Sequence, residues 1–255
     1  MILRPLSRRH ALIALIGLAA LPALDTKAQA VRVEGGTPLR LPLGAVDDLG
    51  IVLPAEIEEE PVDLAVLSLG AVGVPSGRLT GVDALVLEGA PYVPGIAPGR
   101  YPLQLVIATL PDGEERVAFA QIKFADRPAK TWVNALIEGE DPELPDGEIS
   151  VFEVESGFAA LFDASALALW RRALSEDASL VAQLERVLQD NRRRTWTWAR
   201  VRAGSGDGVL FTSGFGEGEY GAYWGQAADG EVVSLVLDLD LLDWEGLPEE
   251  APVTT

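Results

Sequence analysis

The chain has 255 residues, 39 of them acidic and 20 basic, for a formal net charge of −19. It has no cysteine, which removes disulfides, thiol catalysis and cysteine-bound metal, and its single histidine is His10. A surface this acidic repels phosphate backbones and anionic headgroups, so nucleic acid is not expected as a partner and anionic lipid is a poor one; a cationic peptide, a basic protein or a divalent cation fits better, against the plain alternative that the acidity serves solubility.

Residues 1–30 read as an export signal. Arg4, Arg8 and Arg9 precede an apolar stretch at 11–24, too short for a membrane span, and Ala28-Gln29-Ala30 has the small-x-small form of a cleavage site. The run Ser7-Arg8-Arg9-His10-Ala11-Leu12 resembles a twin-arginine signal. The expectation is a periplasmic or secreted protein beginning at Val31, with no membrane anchor once cleaved. That chain carries 16 basic and 38 acidic residues and no histidine.

Residues 31–68 read as an N-terminal extension of loop and short strands, broken by Gly35-Gly36, Pro38, Pro42 and Gly50. Residues 62–72 alternate as a strand, and 79–87 as another with Asp83 inside it. Residues 103–110 and 116–124 flank Pro111-Asp112-Gly113-Glu114, the clearest hairpin in the chain. In its second arm Val117, Phe119 and Gln121 fall on one face. Residues 130–137 form the next strand.

A helical insertion is expected at about 163–192. Asp163 stands where an N-cap belongs, before two helical stretches, and Arg192-Arg193-Arg194 closes the second with cations at the helix's negative pole. Residues 195–201 alternate with Trp196 and Trp198 on one face. The stretch 209–241 is the most unusual: a strand, three glycines at two-residue spacing (Gly214, Gly216, Gly218), a strand with Tyr220, Tyr223 and Trp224, an Asp229-Gly230 turn, and a last strand. Residues 69–244 form the main domain, and 245–255 an acidic tail expected to be disordered. The fold class is α+β, mostly antiparallel β-sheet with one helical insertion.

Several pieces in fixed order carry a family resemblance. They are Val74-Pro75-Ser76-Gly77-Arg78, Asp83, Pro98-Gly99-Arg100-Tyr101-Pro102, Arg127-Pro128 with Trp132, Ser156-Gly157 with Asp163, and Ser213 to Tyr220. Together, over roughly 69–241, they resemble the bacterial family catalogued as domain of unknown function 4241. The chain has Glu217 where that family usually has aspartate, and Ala84 where it usually has proline. The resemblance implies a fold and brings no activity.

Without histidine or cysteine, acid–base chemistry would fall to carboxylates, lysines or tyrosines. Asp83, Asp163 and Glu217, from three separated motifs, are the catalytic candidates. A carboxylate hydrolase acting on a glycan would need them within about 10 Å of one another. Their ordinary roles, capping turns and helices, compete with that reading. The binding candidates are Ser213, Gly214, Gly216, Glu217, Gly218, Tyr220 and Trp224. The glycine run suits a bulge or bend; a phosphate there would meet Glu217 and Glu219, and a calcium ion would find only those two carboxylates. No cofactor is expected, calcium being the alternative. The leading reading is a non-enzymatic binding module for an unknown protein or small ligand, with the hydrolase and an immunity-type neutraliser of a basic partner as alternatives.

Overall fold

The computed structural model describes residues 31–145 and 147–246. The export signal, Asp146 and residues 247–255 of the expected tail lie outside them. The chain runs through β1 (Val31–Glu34), β2 (Leu39–Leu41), a 3-10 helix (Leu43–Leu49), β3 (Glu56–Ile57), β4 (Glu60–Pro61), β5 (Asp63–Val74) and β6 (Leu79–Asp83). It continues through β7 (Gly99–Thr109), β8 (Glu115–Lys123), β9 (Thr131–Asn134), β10 (Val151–Val154) and β11 (Phe158–Asp163). Helices α1 (Ala164–Glu176) and α2 (Ser179–Asp190) precede β12 (Trp198–Ala203), β13 (Gly206–Thr212), β14 (Gly218–Gln226) and β15 (Val232–Asp238).

Two antiparallel sheets pack face to face. The five-stranded sheet has the order β1-β12-β13-β11-β6. The larger sheet has the order β10-β14-β15-β8-β7-β5-β2, with β9 also on β14. Strands β9 and β10 lie end to end along one edge of β14, and Asn134 splices them. Its amide donates to the Ser150 carbonyl (3.1 Å) and accepts from the Ser150 N–H (2.6 Å), continuing the ladder where the backbone breaks.

Between the sheets lie Leu103, Leu105, Phe211, Leu235, Trp196 and Trp198, among others. The outer face of the five-stranded sheet is covered by α1 and α2, with Trp170 fully buried against Phe162 and Val201. The outer face of the larger sheet is covered by the 3-10 helix and the segment after β15, with Trp244 edge-on to Phe119, Trp132 and Tyr223 at 5.1–5.4 Å. Lys123 holds the 3-10 helix in place by donating to Ala45 O and Asp48, both at 3.1 Å. With both faces of each sheet covered, central strands such as β8 and β15 are buried at nearly every position and lose most of the polar half of a strand's alternation, keeping only buried polar side chains such as Gln121, Ser234 and Asp238.

The α+β class holds, with four corrections. The helical insertion holds the two helices expected, but a third, the 3-10 helix, lies outside it, in a stretch expected to be loop and strand. The expected boundary near residue 69 falls inside β5, and β1 and β2 are strands of the two sheets. The strand expected over 79–87 ends at Asp83, whose carboxylate captures the next amides into a turn. Val117 and Phe119 do not share a face: Val106 pairs Phe119 and Ile107 pairs Val117, so Ala118 bulges. The bulge leaves Val117 between the sheets and turns Phe119 outward.

Candidate functional site

The structure puts Asp83 and Asp163 in matched positions. In the β6–β11 ladder Asp83 faces Ala159 and Asp163 faces Leu79, four register steps apart, about 13 Å along the strands. Each carboxylate is buried and accepts five hydrogen bonds. Asp83 Oδ1 takes Leu85 N (2.7 Å), Val86 N (2.9 Å) and Ser156 Oγ (2.9 Å), and Oδ2 takes Glu155 N (2.8 Å) and Ser156 N (2.7 Å). Asp163 Oδ1 takes Ser165 N (3.0 Å), Ala166 N (3.1 Å) and Ser165 Oγ, capping α1. Its Oδ2 takes Ser76 N (3.0 Å) and Ser76 Oγ (2.5 Å).

The two arrangements are reciprocal. Ser76-Gly77 opens β6 and Asp83 closes it; Ser156-Gly157 opens β11 and Asp163 closes it. Each serine bonds the other strand's aspartate, and each glycine is left-handed (φ +67 and +74). Each aspartate then caps its own next two amides. Burial alone would raise the Asp83 pKa, but the N–H groups of Val86, Ser156 and Leu85 and the Ser156 hydroxyl outweigh it and hold the carboxyl below the ordinary range. Such a group is a poor proton donor or acceptor near neutral pH.

The glycine run carries the chain from β13 in one sheet to β14 in the other. Gly214 (φ +34) sits against Leu239, where a Cβ would come 2.5 Å from the carbonyl oxygen. Ser213 Oγ (2.7 Å) and Tyr220 OH (2.9 Å) both donate to Gly216 O, closing the turn. Tyr220 and Trp224 face the core between the sheets; Trp224 Nε1 donates to Val93 O at 2.8 Å. Burial pushes the Tyr220 hydroxyl pKa up, as does Asp240, against the Ser213 and Gly216 hydrogen bonds. Glu217, Glu219 and Phe215 are exposed, and Arg116 lies over the Phe215 ring at 5.8 Å. Ser213 N donates to Gly157 O, so this turn and Asp83 share one end of the sandwich, while Asp163 is at the far end of the ladder. No three acidic side chains among the described residues group as a cation site.

That shared end presents a surface the sequence reading missed. After Asp83 the chain makes one turn, with Leu85 and Val86 60 % and 48 % exposed, ending at Leu87 in a left-handed conformation. Leu85 borders an apolar groove of about 550 Å³ against α2, walled by Phe158, Val181, Leu184 and Leu188, with Arg192 at its margin. Val86 borders a second hollow of about 330 Å³, lined by Glu88, Glu153 and Glu155. The apolar run Leu85-Val86-Leu87 between Asp83 and Glu88 was the available signal; the groove itself combines residues far apart in sequence.

The arginine cluster does not cap α2. Asn191 does, donating its N–H to Val187 O and its amide to Trp198 O (2.8 Å), and accepting from Gly36 N (3.1 Å). The arginines follow in a knuckle fastened to Glu115. Arg194 pairs with its carboxylate (3.2 Å), Trp196 Nε1 donates to it (2.9 Å), and Thr195 Oγ1 bonds its backbone N–H and carbonyl (2.7 and 2.6 Å).

A family model described as a protein of unknown function (DUF4241) matches residues 72–237, a span that holds both serine–aspartate clamps and the glycine turn. Neither the comparison with curated proteins nor that with solved structures gives a match.

Proposed function

The chain belongs to the DUF4241 family, and since membership assigns no activity, we propose from the geometry that it is a non-enzymatic binding module. The observation that carries this reading is the bracing of the Leu85–Val86 ridge. A buried carboxylate commits two of its five hydrogen bonds to fixing two exposed aliphatic residues between an apolar groove and an acidic hollow. Rigid apolar residues rimmed by charge are characteristic of surfaces that receive another protein. The partner is a segment pairing apolar side chains, for the groove, with lysine or arginine, for Glu88, Glu153 and Glu155. A carboxylate hydrolase is less well supported, because Asp83 and Asp163 are both saturated and stand at opposite ends of one ladder. An immunity-type neutraliser would use the same surface with a basic protein as its target. Export, with its signal outside the described residues, belongs to this proposal and supplies the compartment.

The test is selection of binders from a random peptide library on the folded protein. The expected consensus combines apolar and basic positions. Leu85→Asp and Val181→Asp each weaken the selected peptide by about tenfold or more, and added salt weakens it further. An acidic consensus, or full affinity in both variants, overturns the reading.

A further inference from the structure

Arg193 is the feature of the knuckle that its structural role does not use. Arg193 is half-buried and its guanidinium has no acidic partner within 4 Å among the described residues, in a protein with nearly two acids per base. Among the described residues its side chain makes one hydrogen bond, a long one of 3.4 Å to Arg192 O. It lines a cleft of about 360 Å³ where the chain crosses from β1 in the small sheet to β2 in the large one. Arg40, exposed on β2 and likewise without an acid within 4 Å among the described residues, faces the same cleft. Its apolar lining is the half-buried Ala65 and Leu67 of the large sheet, above Ile107 and Trp196, which are only 2 % exposed. Two acids border it. Glu115 is held by Arg194 and Trp196, and Asp63 is exposed on β5.

We propose that this cleft binds a small amphiphilic organic anion, its carboxylate or phosphate head between Arg40 and Arg193 and its apolar body on Ala65 and Leu67, reaching the exposed edge of Trp196. Guanidinium forks match both heads through paired N–H donors, and an apolar floor beside a few placed charges is the usual make-up of a small-molecule site. The acidic surface repels anions at long range, so affinity arises from contact and the site selects against anions lacking the apolar body. The knuckle is prearranged: Asn191, Arg194, Thr195 and Trp196 are all fastened, so binding need not order the backbone around Arg193. Adjacent arginines serve different places, Arg192 the α2 groove and Arg193 this cleft.

The experiment titrates the protein with octanoate, octyl phosphate, octylammonium and inorganic phosphate, by calorimetry and by the tryptophan indole N–H resonances. The expected result is one-to-one binding of octanoate or octyl phosphate that shifts the Trp196 indole; the tighter of the two identifies the head. Arg193→Gln and Arg40→Gln each weaken it by about tenfold, the scale of a lost charge-assisted pair. Arg192→Gln and Val181→Asp leave it unchanged, which separates this site from the docking surface proposed above. Equal binding of octylammonium or of inorganic phosphate overturns the proposal, as does no saturation by about 5 mM. Loss of binding in Val181→Asp but not in Arg193→Gln places the ligand in the α2 groove and also overturns it.

Discussion

Replacing Asp83 by asparagine tests whether the carboxylate is a clamp or a simple cap. At an ordinary N-cap the exchange is nearly neutral, because one oxygen does the work and asparagine keeps it. Here both oxygens are occupied: Oδ1 by two backbone N–H groups and the Ser156 hydroxyl, Oδ2 by two more N–H groups. Whichever way the amide turns, its NH2 faces at least two backbone donors at 2.7–2.9 Å. A buried donor left unsatisfied costs about 1–3 kcal/mol, so the variant should lose about 4 kcal/mol. That is a large part of a typical domain's stability and corresponds to about 10 °C in Tm. Urea unfolding at pH 7, followed by tryptophan fluorescence, measures it. The acid limb provides a second readout. With its folded pKa depressed, Asp83 contributes stability above the ordinary aspartate pKa of 3.8, and that contribution drains away as pH falls through the lowered value. The variant should lack this loss below about pH 4. A cost under about 1 kcal/mol at pH 7 would refute the clamp, since it would mean the donors find water or each other.

Asp238 gives the opposite pH dependence. Burial pushes its pKa up to about 6, against the hydrogen bonds from Trp244 and Asp240 N, with Asp240 adding repulsion. A carboxyl whose folded pKa is raised destabilises the fold when ionised, so stability should rise as pH falls from about 6 to about 4, by roughly 3 kcal/mol. Asp238→Asn should flatten that window in pH-resolved denaturation, and an unchanged slope would count against the assignment. Gly214→Ala should cost more than about 2 kcal/mol by thermal unfolding, since it adds a left-handed alanine and a Cβ 2.5 Å from Leu239 O.

The strands and hairpins were legible where local chemistry alone decides them. Asp112-Gly113 and Asp229-Gly230 are turns between strands, with Gly113 and Gly230 both at φ +85, and Asp163 is the cap of α1. Three kinds of feature were hidden. The bulge at Ala118 changes facing without changing composition, so the alternation of residues 116–124 assigned Val117 and Phe119 to one face. The cover over the larger sheet comes from the 3-10 helix and Trp244, far apart in sequence. The aromatics of β14 read as a binding cluster because strand periodicity does not say whether a second sheet covers a face; one does, and Tyr220 and Trp224 lie beneath it. For the candidate site, the seven-residue spacing from Ser76 to Asp83 and from Ser156 to Asp163 is visible, but which serine serves which aspartate is not. That exchange depends on β6 and β11 lying antiparallel. The ridge and groove follow from it, bringing Leu85, Phe158, Val181 and Thr212 together from four segments.

The crossed pairing of serines and aspartates also bears on the order of assembly. Residues 74–83 cannot finish their own ends, since Ser76 waits for Asp163, and residues 154–163 are equally incomplete until Ser156 meets Asp83. Neither segment is a self-contained nucleus; some eighty residues of intervening chain must close before either gains its bonds, and topologies dominated by such distant pairings fold slowly. Leu85 and Val86 are therefore held apart as a ridge only in the finished molecule, and a chain caught midway offers a partner two loose aliphatic residues in place of a surface.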